Sequence, residues 1–157
     1  MILFGINQTV IYPKNTNHNS DLKFEEDSVS IKTDRKLMDD KQKEILSETI
    51  FMYLKSQKPY LNPDYSLQMM ADDLQISREK LSYLINTGQQ KNFYKFINEF
   101  RIEEVKERLL NPKFDHFTVL GIGLECGFNS KSSFNRIFKE ETGLTPSEFK
   151  KQFTLKT

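Results

Sequence analysis

The chain is poor in the residues that build disulfides and metal sites. Its single cysteine, Cys126, excludes a disulfide within the chain and points to a reducing compartment. The two histidines, His18 and His116, stand far from each other and at no metal-ligand spacing from Cys126, so no metal site is expected. No stretch approaches the roughly eighteen apolar residues that cross a bilayer, and the first residues lack the pattern of a signal peptide. Five prolines and six glycines are few for 157 residues, and they fall between periodic segments, which favours helices over strands. A formal net charge of +1 leaves the overall balance silent about nucleic acid. What is present suffices for a core: 37% of residues are hydrophobic, thirteen of them Phe, under a very polar surface with mean hydropathy −0.61. This length holds one ordinary domain with an appendage, or two very small domains. The expected fold class is all-α.

One pattern occurs twice. Residues Met69 to Ile85 and Leu120 to Phe138 each read as a short apolar-periodic helix, a tight turn, a Ser at a helix start and a second helix with one polar face. That is the outline of a helix-turn-helix, in which two helices cross at roughly 90–120° over a turn of about three or four residues. Such a crossing needs a small residue where the helices touch and apolar residues filling the wedge. Ala71 and Gly123 supply the small contacts. Leu74, Ile76, Leu81, Leu84 and Ile85 form one wedge; Ile122, Cys126, Phe128, Phe134, Ile137 and Phe138 form the other. The copies are unequal, because Phe128 to Phe134 is one residue longer than Ile76 to Leu81.

Seven helices are expected along the chain. The first runs from Asp39 to Lys58, with Leu46, Ile50, Tyr53 and Leu54 on one face, and Pro59 ends it. Ser66 caps a helix over Leu67 to Leu74; Ser77 caps another to about Asn86, stopped by Gly88. Asn92 caps a connector reaching Leu110, ended by Asn111-Pro112, and Thr118 and Ser130 open the helices of the second unit. Thr145-Pro146-Ser147-Glu148 is a capping box opening the last helix. The acid pairs Asp39-Asp40 and Asp72-Asp73 are read as helix-start residues favoured by the dipole. The domain reading is a poorly ordered linker or tail over 1–38, then 39–157 as a bipartite domain. Its parts are a first subdomain over 39–91, a connector over 92–111 and a second subdomain over 112–157.

Burying the two wedges leaves two polar sets outside. The first is Arg78, Glu79, Ser82, Tyr83 and Asn86; the second is Lys131, Ser132, Asn135 and Arg136, with Lys139 one turn on. Arg suits guanine bidentately and Asn suits adenine, each good pair giving about 1–3 kcal/mol of discrimination. These residues are the expected base contacts. Lys80, Lys91, Asn92, Ser130, Lys139 and Thr145 are the expected phosphate contacts, since basic side chains and helix starts attract anions. A connector of nineteen residues is roughly 28 Å long, close to the roughly 34 Å between successive major-groove faces on one side of the duplex.

These residues bring the chain to a resemblance covering about 59 to 153. It resembles the DNA-binding domain of the AraC/XylS family of transcriptional regulators. The motifs are Cys126-Gly127-Phe128-Asn129-Ser130 with Phe134 and Phe138-Lys139, then Gly143-Leu144-Thr145-Pro146, and Asn98-Glu99-Phe100-Arg101-Ile102 in the connector. The resemblance implies sequence-specific binding of double-stranded DNA at a promoter or operator, contact with RNA polymerase, and one unit gripping more firmly than the other. Gly121 and Gly123 depart from the family, which usually has a polar residue and Ala there. Each Gly costs about 0.5–1 kcal/mol within a helix, so a loose helix is expected.

The family couples this domain to a separate sensor, for which this chain has no room, so a sensor region upstream in a longer native chain is expected. Gly5-Ile6-Asn7-Gln8-Thr9-Val10-Ile11-Tyr12, followed by a polar linker, is similar to the juxtamembrane tail of members with a membrane-embedded sensor. The expected location is cytoplasmic, with a tether to the inner face of the cell membrane under that reading. No nucleophile-base pair is visible, and Gly121-x-Gly123 lacks the rest of a phosphate loop, so neither an enzyme nor a cofactor is expected. The competing function is a helical protein-interaction module with no specific DNA target.

Overall fold

The structure, a computed structural model, describes residues 38–154. The expected tail over 1–38, its juxtamembrane motif included, lies outside the described residues except for Met38. Among the described residues there are seven α-helices, two short 3-10 turns and no strand.

Local capping sets most of the boundaries. Helix α1 (Asp40–Gln57) starts where the Asp39 carboxylate accepts the Gln42 N–H at 2.9 Å. It ends at Lys58, which turns left-handed (φ 47°) ahead of Pro59. After a 3-10 turn (Pro59–Leu61) and an Asn62-Pro63-Asp64 bend, Ser66 caps α2 (Leu67–Leu74) and Ser77 caps α3 (Arg78–Gln89). Asn92 caps α4 (Phe93–Leu110), Thr118 caps α5 (Val119–Glu125) and Ser130 caps α6 (Lys131–Thr142). The capping box forms at α7 (Pro146–Thr154). Thr145 N–H and Oγ1 both donate to Glu148 Oε2, at 2.8 and 2.7 Å, and Glu148 N–H donates back to Thr145 Oγ1.

Two expectations need correction. Gly88 does not stop α3. The helix runs through it to Gln89, and the left-handed residue that turns the chain is Gln90 (φ 53°). A glycine can terminate a helix only where the chain needs positive φ, and here the bend falls two residues later. The pair Asp72-Asp73 lies in the last turn of α2, where the helix dipole disfavours acids. Asp73 earns its place by tertiary contact: it accepts the hydroxyls of Tyr53 from α1 at 2.5 Å and Tyr65 at 3.3 Å. Burial and the Asp73 carboxylate push the Tyr53 hydroxyl up to about 12. Asp72 is held by Gln68 at 2.7 Å within the same helix.

The buried side chains form two clusters strung along α4. Phe93, Phe96 and Ile97 at its start pack with Leu54, Met70 and Leu81 of α1, α2 and α3. Ile102, Val105 and Leu109 at its end pack with Ile122, Phe134 and Phe138 of α5 and α6, and with Phe149 of α7. Leu61 packs against both clusters. Full burial of a side chain of this size contributes about 1.5–3 kcal/mol, so each cluster depends heavily on its half of α4.

Candidate nucleic-acid interface

The two helix pairs α2–α3 and α5–α6 turn in the same way. In the first, Gln75 adopts a left-handed conformation (φ 55°) and Ile76 N–H donates to Ala71 carbonyl at 3.0 Å. In the second, Gly127 is left-handed (φ 94°) and Phe128 N–H donates to Gly123 carbonyl at 3.2 Å. Gln75 thus matches Gly127 and Ile76 matches Phe128. Ser77 matches Ser130, with Asn129 as the extra residue of the second turn. The small contacts are where the helices cross. Ala71 is fully buried, and a Cβ on Gly123 would stand 2.7 Å from the Phe134 ring. Gly123 is therefore demanded by the close approach of α6 rather than being a sign of a loose helix.

α3 and α6 each carry one apolar and one polar face. On α3 the side chains of Leu81, Leu84 and Ile85 are buried, Glu79 and Asn86 are exposed, and Arg78, Lys80, Ser82 and Tyr83 are half-buried. On α6 Phe134 and Phe138 are buried, Lys131, Ser132, Arg136 and Lys139 are exposed, and Asn135 is half-buried. Asn86 reaches Ser82 on the same face at 3.4 Å. Arg136 Nη1 donates to both oxygens of Glu140, at 2.9 and 3.0 Å, one turn along α6. Both partners are more than half exposed, so this pair is easily exchanged for another anion.

The expected phosphate contacts divide in two. Lys80 and Lys139 lie on or beside the polar faces, while Lys91 is paired with Glu99 of α4 at 2.6 Å. Asn92, Ser130 and Thr145 are occupied as caps: their side-chain oxygens accept from Lys95 N–H, Ser133 N–H and Glu148 N–H. An anion at these helix starts would meet the remaining backbone N–H groups, not those oxygens.

Sequence reasoning passed over a buried polar cluster between the two units. Arg101 and Glu104 of α4 are 8% and 7% exposed. Arg101 Nε donates to Tyr60 carbonyl at 2.7 Å and its Nη2 donates to Asn62 carbonyl at 2.9 Å. Burial lowers its guanidinium to about 10, which leaves it charged at neutral pH. Glu104 accepts Lys58 Nζ at 2.7 Å and Arg108 Nε at 2.9 Å. Burial alone would raise this carboxyl, but the bonds from Lys58 and Arg108 outweigh it and hold it below the usual carboxylate range. The signal was available: Ile97, Arg101, Glu104 and Arg108 recur at helical spacing on one stripe, so charged residues stand where an apolar stripe begins.

A family model described as a helix-turn-helix domain matches residues 70–152, more than half of the chain and both turns. The chain belongs to the AraC-type helix-turn-helix family. An HTH-type transcriptional regulator from Pseudoalteromonas carrageenovora is 32% identical over 95 residues, covering 60% of this chain and 54% of the relative. One from Staphylococcus aureus is 31% identical over 91 residues, 58% of this chain and 12% of the relative. The chain thus spans about half the length of the first and a small part of the second. The fold is shared with the C-terminal domain of AraT, a response regulator from Geobacillus stearothermophilus. That match has TM-score 0.57 at 23% identity and covers 67% of this chain and 83% of that one. An AraC-type regulator from Chromobacterium violaceum matches with TM-score 0.57 at 22% identity, covering 69% and 95%. The AraC-type domain is a DNA-binding output domain of transcriptional regulators, and α3 and α6 are the second helices of its two turns.

Outside the recognition faces, the described residues hold no group of three or more His, Cys, Asp or Glu placed to bind a metal ion. Cys126 is wholly buried, and burial pushes its thiol up to about 12. None of the described helices is long and apolar enough to cross a membrane.

Proposed function

We propose that this AraC-type domain grips one duplex with α3 and α6 in adjacent major grooves on the same face. Arg78, Glu79, Ser82, Tyr83 and Asn86 are the base-reading set of the first helix; Lys131, Ser132, Asn135 and Arg136 are that of the second. Phosphates are met by Lys80, Lys91 and Lys139, and by the backbone N–H groups at the helix starts following Asn92, Ser130 and Thr145. Residues 39–91 and 112–157 act as two heads, with 92–111 as the spacer. The observation that carries this reading is the length and burial of α4. Its eighteen residues extend about 27 Å, and its two halves are built into the two cores, so it holds the heads about one duplex turn apart. The α6 face has the cleaner positive charge and is the firmer grip.

In the whole protein this domain serves a sensor upstream and contacts RNA polymerase at the promoter, on the cytoplasmic side. Where the sensor is membrane-embedded, the domain is tethered to the inner face of the cell membrane. It is a binding domain and not an enzyme. Selecting bound fragments from a random duplex library tests the core of the reading: two short conserved blocks about one turn apart are expected. Recovery of no preferred sequence would favour the protein-interaction module instead.

A further inference from the structure

The crossing point of the two heads is a single place in the fold. Arg101 lies on α4 between Phe100, which packs on the first cluster, and Ile102, which belongs to the second. Its guanidinium holds the carbonyls of Tyr60 and Asn62, the stretch that leads through Tyr65 and Ser66 into α2. On the other side it meets the turn of the second head: a Cβ on Gly127 would stand 2.8 Å from Arg101 Nε and would run into the Tyr60 carbonyl oxygen. Three segments therefore converge on one side chain: the spacer helix, the lead-in to the first head and the α5–α6 turn.

We propose that Arg101 is the positioning residue that sets the register between the two recognition helices, and so selects the spacing of the two DNA half-sites. This rests on the bipartite reading above. Two carbonyls separated by one residue, both bonded to one planar guanidinium, fix the lead-in to α2 in orientation as well as distance. Gly127 extends the constraint to the second head, because the Tyr60 carbonyl can sit against that turn only where residue 127 has no side chain. Arg101 does not touch DNA. It acts through the placement of α3 relative to α6.

Spacing is the readout that separates this role from ordinary stabilisation. One added base pair moves a half-site by about 3.4 Å and turns it by roughly 34–36°. The full chain is assayed on the duplex selected from the random library, on forms with one or two base pairs inserted or deleted between the two blocks, and on each block alone. Wild type is expected to lose at least about tenfold in affinity on a one-base-pair change, the scale of a mismatch. In Arg101→Met, each single block is expected to bind within about threefold of wild type, while the penalty for changed spacing falls to about threefold or less. A spacing profile parallel to wild type would overturn the proposal. Arg101→Lys keeps the charge but replaces the planar fork with a flexible point charge that holds the two carbonyls less rigidly, and should show intermediate relaxation. It supplies the profile if Arg101→Met fails to fold, and a profile parallel to wild type then overturns the proposal equally. Indifference of wild type itself to spacing would instead sink the bipartite reading.

Discussion

The ring of Phe134 occupies the place where a side chain on Gly123 would begin, with its ring carbons 2.7 Å from that position. Phe134 is buried in α6 and Gly123 in α5, so this contact sets how closely the two helices of the second head cross. Gly123→Ala should gain about 1 kcal/mol of helix propensity and lose about 1–3 kcal/mol to overpacking. The net expectation is destabilisation, read as a lower urea midpoint with weaker DNA binding.

Gly88 gives the opposite sign. It lies inside α3 at ordinary helical φ, and a Cβ there would meet nothing within 4 Å. Gly88→Ala should therefore stabilise the domain by about 0.5–1 kcal/mol. A melting curve decides it, and a decrease in stability would mean that α3 frays before residue 88.

Arg136 faces a choice between Glu140 and DNA. The exposed pair is worth about 0.3–0.5 kcal/mol, far less than the about 1–3 kcal/mol of a good base contact. Arg136→Ala should relax preference at one base pair of the selected site, and Glu140→Gln should leave that preference intact while binding slightly tighter. An equal loss on all sequences with Arg136→Ala would assign the residue to the phosphate backbone.

Acid should weaken the junction beneath the heads. The Glu104 carboxyl is held below its ordinary value in the folded chain, so its stabilisation is complete above the unfolded value and fades as pH falls through the folded one. Glu104→Gln is expected to cost about 1–3 kcal/mol at neutral pH, by weakening the bonds to Lys58 and Arg108. Urea midpoints of wild type and variant should converge as pH falls below the ordinary carboxylate range. A gap independent of pH would mean that the variant loses stability for a reason other than the missing charge, and would sink this account.

Cys126 should resist alkylation at pH 8 in the folded chain and react once urea unfolds it, because its thiol is sealed in the second core and pushed up to about 12. Labelling followed by mass analysis reads this directly.

The features legible in the sequence are those decided by neighbours in the chain. Ser66, Ser77, Asn92, Ser130 and the Thr145–Glu148 box each cap a helix within three residues of themselves, so they can be read without knowing the fold. The repeat was legible for the same reason, since Ala71, Gly123 and the apolar wedges follow from one local geometry. What was missed depends on distant partners. Asp73 looks like a helix-start acid until Tyr53, twenty residues earlier, is seen to donate to it. Arg101 and Glu104 draw key partners from far along the chain, the Tyr60 and Asn62 carbonyls and the Lys58 ammonium lying 39 to 46 residues away, so the charged stripe on α4 is their one local cue. Gly88 was misread because any of several residues could take the left-handed turn, and Gln90 took it at a strain of about 1 kcal/mol.

Because α4 lends its first half to one core and its second half to the other, neither head owns a complete interior. A hybrid regulator made by exchanging one head between relatives would inherit a mismatched half of α4 at the seam. Grafting that respects the molecule would cut within the recognition faces, transplanting the outward residues of α3 or α6 and leaving α4 with its native neighbours.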